Sequence, residues 1–493
     1  MQYIIIILLL LCGCAGCQDS IRIAAWTDDE AAIFPDYKGV TIPPNVAPIN
    51  FTLSADSLTD GERGEAALLI VGGDDTLSLR AKGDDFDIPL TVWRKLLEGH
   101  RGDSLCLIVC LRQAAGDWKA CRPFSVHVAT DDIDSYLVYR LIPPGYGLWN
   151  EMGIYQRHLE TFDETAIYEN RMGQGNCVNC HSFCRQSPDE MLFHLRVNQA
   201  GTYIFRDGKR EKLSTKTDHT VSDFVYPAWH PSGRFVAFSV NKTFQVFHTK
   251  SPNRIEVCDE ASDVVVYDVL RHEVLTTSLL YGDRSFETFP VFSSDGCTLY
   301  FCTAPADSMP QHYNRVKYSL CSIAFDPDTH SFGTAIDTLY DAVRHDKSVS
   351  FPRVSPDGRL LAFTLSNYGN FSIWHKEADL YFLNLETKQV VPLTEANSDD
   401  VESYHSWSSN GRWLAFSSRR DDGLYTRPYF AYVARDGTVR KPFLLPQRRP
   451  KAYYEAQMNS YNIPELVKGK IRLTPHEVSA FAQTEAVPIV WQQ

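Results

Sequence analysis

No Walker loop, no dinucleotide-binding glycine pattern, no G-x-S-x-G elbow and no H-E-x-x-H helix occurs in the 493 residues. Their absence removes the commonest sequence signs of phosphate-binding, nucleophilic and zinc-hydrolytic enzymes. Basic charge is also scarce. Lys and Arg number 48 against 61 Asp and Glu, a net charge of −13, which makes nucleic acid an unfavourable partner. Long apolar runs are nearly absent as well. The one at the start, MQYIIIILLLL, is too short to span a bilayer but has the length of a signal-peptide core, and small residues follow it. Residues 1–16 are therefore expected to be a signal segment that is removed.

The stretch Leu11-Cys12-Gly13-Cys14-Ala15-Gly16-Cys17 resembles the lipobox of bacterial lipoproteins. The resemblance implies cleavage before Cys17, lipidation of Cys17, and a chain anchored by lipid in the bacterial cell envelope, at the outer membrane or facing the periplasm. Cys14 stands where an aliphatic residue is usual, and is the alternative acylation site. A plain secretory signal is the alternative for the whole segment.

In mid-chain, Cys177-Val178-Asn179-Cys180-His181 has the C-x-x-C-H form of a c-type haem attachment site. Two thiols at this spacing add to the two vinyl groups of one porphyrin, and the adjacent imidazole becomes the proximal iron ligand. An exported chain meets the compartment in which such a haem is attached. On the strand that follows, His194 and Arg196 share a face. His194 is the first choice for distal ligand and Arg196 a partner for a haem propionate, while Met191, Phe193 and Leu195 read as packing. The alternative for His194 is a hydrogen-bonded histidine inside a sheet. Cys177 and Cys180 can instead form a disulfide, or bind a metal with His181. Eight further cysteines, Cys106, Cys110, Cys121, Cys184, Cys258, Cys297, Cys302 and Cys321, can pair or remain buried thiols.

An internal repeat sets the architecture. YPAWHPSGRFVAFS begins at Tyr226, FPVFSSDGCTLYFC at Phe289, FPRVSPDGRLLAFT at Phe351 and YHSWSSNGRWLAFS at Tyr404. Each reads as a strand, a tight turn and an apolar strand, and two more strands follow, which gives four strands per unit and hence a propeller blade. His230 takes the place that serine holds in the other copies. The units resemble the WD40-like repeats of TolB-type β-propellers, which implies the fold and little about activity. Phe183-Cys-Arg-Gln-Ser187-Pro188-Asp189-Glu190 aligns with Phe351 to Gly358 as a degenerate further copy. On that alignment His181 corresponds to Phe224, Glu287, Val349 and Glu402, so Glu287 and Glu402 are expected on one rim with any haem.

The expected fold is all-β: a β-sandwich-like domain over 17–133, a link or blade-closing segment over 134–176, a five- or six-bladed propeller over 177–447, and a tail over 448–493, with either 134–176 or the tail after Arg448 able to complete a sixth blade or close the ring. The order of lipobox, Tyr136-to-Tyr146 stretch, C-x-N-C-H-S-F and TolB-like repeats resembles uncharacterised lipoproteins of Bacteroides-type bacteria labelled cytochrome c-like or TolB-like. The function this implies is electron transfer or redox sensing through haem c, with a redox or envelope protein as partner. The alternative is a haem-free propeller that binds an envelope protein, peptide or glycan. A hydrolytic propeller lacks any nucleophile motif.

Overall fold

The computed structural model describes residues 21–54, 65–113, 116–144, 146–173, 175–251 and 253–491. Cys14 and Cys17 lie outside them. No helix among the described residues is long and apolar enough to cross a membrane.

The first domain packs a seven-stranded sheet, in which Ser104–Arg112 is central, with a three-stranded sheet of Ile33–Phe34, Phe51–Leu53 and Asp85–Phe86. Helix Leu90–Gly99 buries Trp93, Leu96 and Leu97 on one face. Alternation along these strands puts Leu68, Ile70, Leu105, Leu107 and Val126 into one core with Phe51, Phe86 and Trp93. That core continues into the next domain through Trp413, Phe430, Phe443 and Leu466. Trp413 seals the junction, donating its indole N–H to the Asp131 carbonyl at 3.1 Å.

Six sheets of at least four antiparallel strands follow, and their innermost strands form a closed ring. In ring order these are Ser460–Val467 (blade 1), Asn176–Phe183 (blade 2), Phe224–Trp229 (blade 3), Ser285–Phe292 (blade 4), Ser348–Val354 (blade 5) and Glu402–Trp407 (blade 6). Apolar side chains fill the spaces between neighbouring blades. Leu192 and Ile204 of blade 2, for example, meet Phe224 and Phe238 of blade 3. Each such side chain contributes about 1.5–3 kcal/mol when fully buried. The repeat's turn chemistry explains the hairpins: Gly358 has φ 72°, and the Ser355 hydroxyl donates to Asp357 at 2.6 Å while accepting from the Leu360 amide at 3.0 Å.

The propeller extends beyond 177–447 on both sides. Blade 1 takes three strands, Tyr136–Ile142, Gly153–His158 and Glu164–Glu169, from the segment expected as a link or blade-closing segment, and its innermost strand from the tail, the other candidate for closure. Ser460–Val467 thus closes the ring, and the blade number is six. The closing strand's Ile463-Pro464 repeats the pattern of the other blades, but no Ser-Pro-Asp-Gly turn follows to reveal it.

A second correction concerns register. In each innermost strand the pairing ladder skips two residues, as between Asn179 and Ser182, Val225 and Ala228, or Thr288 and Val291. The first skipped residue adopts a left-handed conformation in blades 1 to 5: Ile463, Cys180, Tyr226, Phe289 and Phe351, with φ of 52°, 50°, 47°, 49° and 54°. Counting back from the hairpins, Cys180 therefore corresponds to Tyr226, Phe289, Phe351 and Tyr404. Phe183 corresponds to Trp229, Phe292, Val354 and Trp407. Three extra residues, Cys184–Gln186, sit between the blade 2 strand and its Ser187-Pro188-Asp189 turn, and they misled the direct sequence alignment.

Candidate functional site

The bulges build a ring of side chains in the channel. Tyr226 meets Phe289 at 4.5 Å between centroids, Phe289 meets Phe351 at 4.6 Å, and Phe351 meets Tyr404 at 4.1 Å. Cys180 is the blade 2 member of this set, and its thiol stands close enough to Tyr226 and Tyr404 to help raise both phenols, though burial is the larger cause. The second cysteine of the motif, Cys177, is half-buried directly across the ladder from Arg196, and its sulfur accepts from Asn179 Nδ2 at 3.4 Å. Asn179 is anchored in turn by Arg140, which also reaches the Val178 carbonyl and Asn462.

Past the ring, the channel widens into a cavity of about 320 Å³ to which all six innermost strands contribute. His181, Arg353, His405 and Glu465 line it, with Trp229 and Trp407 at its walls. His181 is 2% exposed, and neither ring nitrogen has a hydrogen-bond partner. Backbone groups of Ile463 and Val138 lie near it without the geometry of a hydrogen bond. Burial first, and then the Arg140 guanidinium, pull its pKa down to about 3, so the imidazole is neutral with a free lone pair. Glu465 accepts from the Phe183 amide at 3.0 Å, and burial pushes its carboxyl up to about 8. The Cys184–Gln186 insertion reaches from blade 2 past blade 1 to blade 6. The Gln186 carbonyl accepts from the Lys468 amide at 2.9 Å and its side chain donates to the Trp407 carbonyl at 3.3 Å.

The other expected site residues stand elsewhere. His194 is buried between blades 2 and 3, with Nδ1 against Thr202 Oγ1 at 2.9 Å and its ring near Phe238, and it does not line the cavity. Arg196 is exposed at the far end of the same strand and does not line it either. Met191, Phe193 and Leu195 do pack together, on the blade 1 side. Glu287 and Glu402 do not share a rim with His181, because the three-residue insertion makes Val178 their true counterpart. Both are buried: Glu287 accepts from Thr303 at 3.1 Å, and Glu402 accepts from Ser398, Ser418 and Arg420 at 2.7, 2.8 and 2.9 Å. His230 serves the turn, bonding Ser232 and the Gly296 carbonyl of the next blade.

The ten described cysteines are all free thiols. Among the described residues, no group of three or more His, Cys, Asp and Glu is arranged to hold a metal ion. His405, Arg353 and Glu465 were not singled out by sequence reasoning. The signal for His405 was the histidine of Tyr404-His405-Ser406-Trp407, standing where the neighbouring repeats carry proline.

No family model matches the chain, and no curated protein matches it. Solved structures do, at low similarity. A puromycin-hydrolyzing peptidase of Mycobacterium tuberculosis is 12% identical over 83% of this chain and 57% of its own, with a TM-score of 0.37. A periplasmic gluconolactonase of Pseudomonas aeruginosa is 12% identical over 62% and 96%, at 0.34. The β-propeller domain of the trilobed protease of Pyrococcus furiosus is 10% identical over 69% and 82%, at 0.32. The chain spans little more than half the length of that peptidase. These likenesses concern the propeller fold alone.

Proposed function

We propose that this protein is an exported lipoprotein that carries a covalent c-type haem at the mouth of its propeller channel and uses it for electron transfer or redox sensing in the cell envelope. The observation that carries the reading is His181. Its imidazole is buried, neutral and unpartnered on both nitrogens at the wall of a cavity, directly after a cysteine that belongs to the channel ring. A buried polar group without a partner costs about 1–3 kcal/mol, so a ligand that accepts the lone pair relieves a defect.

Cys177, Cys180 and His181 are the residues that would hold the group; His181 lines the cavity and the two cysteines do not. Cys177 and Cys180 are reduced thiols, each able to add S–H across a vinyl group, the sulfur bonding one carbon and the proton going to the other. His181 would hold the iron. When bound, the haem supplies a one-electron couple whose potential follows from axial ligation and burial. The lipobox resemblance at Cys17 supports the envelope location and a membrane partnership through lipid alone.

The test is export of the full chain in a host with a c-type maturation system, followed by a haem stain and a mass measurement under denaturing conditions. Retained haem that falls with Cys177→Ala or Cys180→Ala, and disappears with both, supports the reading.

A further inference from the structure

Two residues past the bulge positions, one side chain from each innermost strand lines the cavity: Glu465 in blade 1, then Ser182, Ala228, Val291, Arg353 and Ser406 in blades 2 to 6. The layer is lopsided. Blades 3 and 4 offer it only methyl groups, whereas Arg353 and Glu465 stand in the two blades that flank blade 6. Each charge acts on the other group, yet the two form no ion pair. The Arg353 guanidinium makes one hydrogen bond, from Nη1 to the adjacent Pro352 carbonyl at 2.9 Å, and no ion pair among the described residues. A guanidinium carries five N–H donors, so most of this one is left for a group outside the chain.

The rest of the wall favours an acid with an apolar body. Among the described residues Glu465 is the one acidic side chain on it, against Arg185, Arg353 and Lys468, in a chain whose net charge is −13. Such a local reversal of sign draws anions in. Trp229 and Trp407 spend their single N–H on backbone carbonyls, of Ser182 at 3.4 Å and Arg353 at 3.1 Å, and leave apolar ring surface to a guest. His405, 4% exposed on the same wall, has no hydrogen-bond partner on either ring nitrogen, so the chain does not itself satisfy the polar groups of this cavity. The volume of about 320 Å³ is at the lower end for ligand pockets, which sets a limit on the guest's size.

We propose that this cavity binds a small organic monocarboxylate, its carboxylate held between Arg353 and Glu465 and its apolar body packed on Trp229 and Trp407. The site uses none of Cys177, Cys180 and His181, so the proposal does not depend on the haem reading. The guanidinium presents paired N–H groups in the plane a carboxylate requires. Glu465 completes the clamp as an acid. Burial pushes its carboxyl up to about 8, against the pull of the Phe183 amide and Arg353, so it is protonated at neutral pH. Oε1 accepts from the Phe183 amide, which leaves Oε2 to donate to the ligand. One cation and one acid proton match a single negative charge, and a phosphate dianion would be left half-neutralised. The other ionisable groups on the cavity are Arg185, Lys468, Tyr404, His181 and His405; burial keeps the phenol far above the Glu465 range and the imidazoles far below it.

The experiment uses the full chain exported from a host without c-type maturation, so its outcome does not bear on the haem reading. Titration calorimetry compares acetate, benzoate and phenylacetate with acetamide, benzamide and phenylacetamide, and with inorganic phosphate. At least one of the acids is expected to bind once per chain, with its amide and phosphate weaker by about tenfold or more. Its affinity is expected to fall by about tenfold per pH unit above about pH 8, as the Glu465 proton is lost. Arg353→Gln is expected to lose binding, and Glu465→Gln to keep it and to remove the decline with pH. No binding by any of the three acids, or equal binding by the amides or phosphate, overturns the proposal. So does a folded Arg353→Gln protein with wild-type affinity, or a decline that persists in Glu465→Gln. The comparison of acid with amide is made on wild type, so the proposal stays open to refutation if Arg353→Gln fails to fold.

Discussion

Gln186 of the second blade donates its side-chain N–H to the main-chain carbonyl of Trp407 in the sixth, at 3.3 Å. The two residues lie on either side of the blade that Ser460–Val467 completes, and the Gln186 carbonyl is taken by Lys468, just after that strand. The insertion therefore spans the point where the ring closes. Gln186→Ala is expected to cost about 1 kcal/mol in denaturant unfolding and to speed hydrogen exchange at the Lys468 amide. Unchanged exchange there would mean that the insertion does not brace the closure.

Glu402 is a structural carboxylate. It is fully buried, with hydrogen bonds from two serine hydroxyls and Arg420, and the Arg420 charge offsets part of the burial that raises its pKa. Removing it takes the charge partner from Arg420, which keeps the Ala396 carbonyl and Ser418, and an acceptor from both hydroxyls, of which Ser398 keeps the Asp400 carbonyl. Glu402→Ala should lower unfolding stability by about 3 kcal/mol, with haem content per folded molecule unchanged. A variant with wild-type stability would contradict the burial argument.

What the sequence disclosed, and what it hid, has a physical basis at particular residues. Ser-Gly, Asp-Gly and Asn-Gly turns announced four blades, because a tight hairpin demands those residues locally. The closing strand within the tail after Arg448 was not visible as a strand because Ser460–Val467 pairs with Tyr136–Ile142, more than 300 residues earlier in the chain, and long-range pairing leaves no local turn signal. The rim expected at Glu287 and Glu402 failed for a related reason. Ser187-Pro188-Asp189 aligns the turns correctly, but Cys184–Gln186 shifts everything before them by three residues. Cys177, Cys180 and His181 were legible as a motif. The strand conformation that puts Cys180 into the channel was not, since a left-handed residue in a bulge carries no composition of its own.

The cavity also imposes a pH dependence. Burial raises the Glu465 carboxyl to about 8, with the Phe183 amide and Arg353 pulling the other way, while an unfolded glutamate titrates near ~4.3. Between these values the folded chain holds a proton that the unfolded chain has lost, so stability falls as pH rises through the window and levels off above it. Glu287, raised to about 7, acts in the same direction. His181 and His405, held at about 3 and about 4, act with the opposite sign below about 6.5, where the unfolded imidazoles gain protons first and stability is lost as pH falls. Between pH 7 and 8, Glu465→Gln in the haem-free chain should therefore show a shallower decline than wild type, the difference reaching at most about 1.4 kcal/mol per pH unit. Parallel stability curves would place the Glu465 proton elsewhere.

The most direct measurement is the intact mass of the exported, matured wild-type chain after denaturation and extraction of loosely held pigment. The account predicts the mass of the polypeptide plus one haem, with no addition in the Cys177→Ala, Cys180→Ala double variant. A wild-type mass without that addition, from a host that attaches haem to a control cytochrome in the same culture, would contradict it.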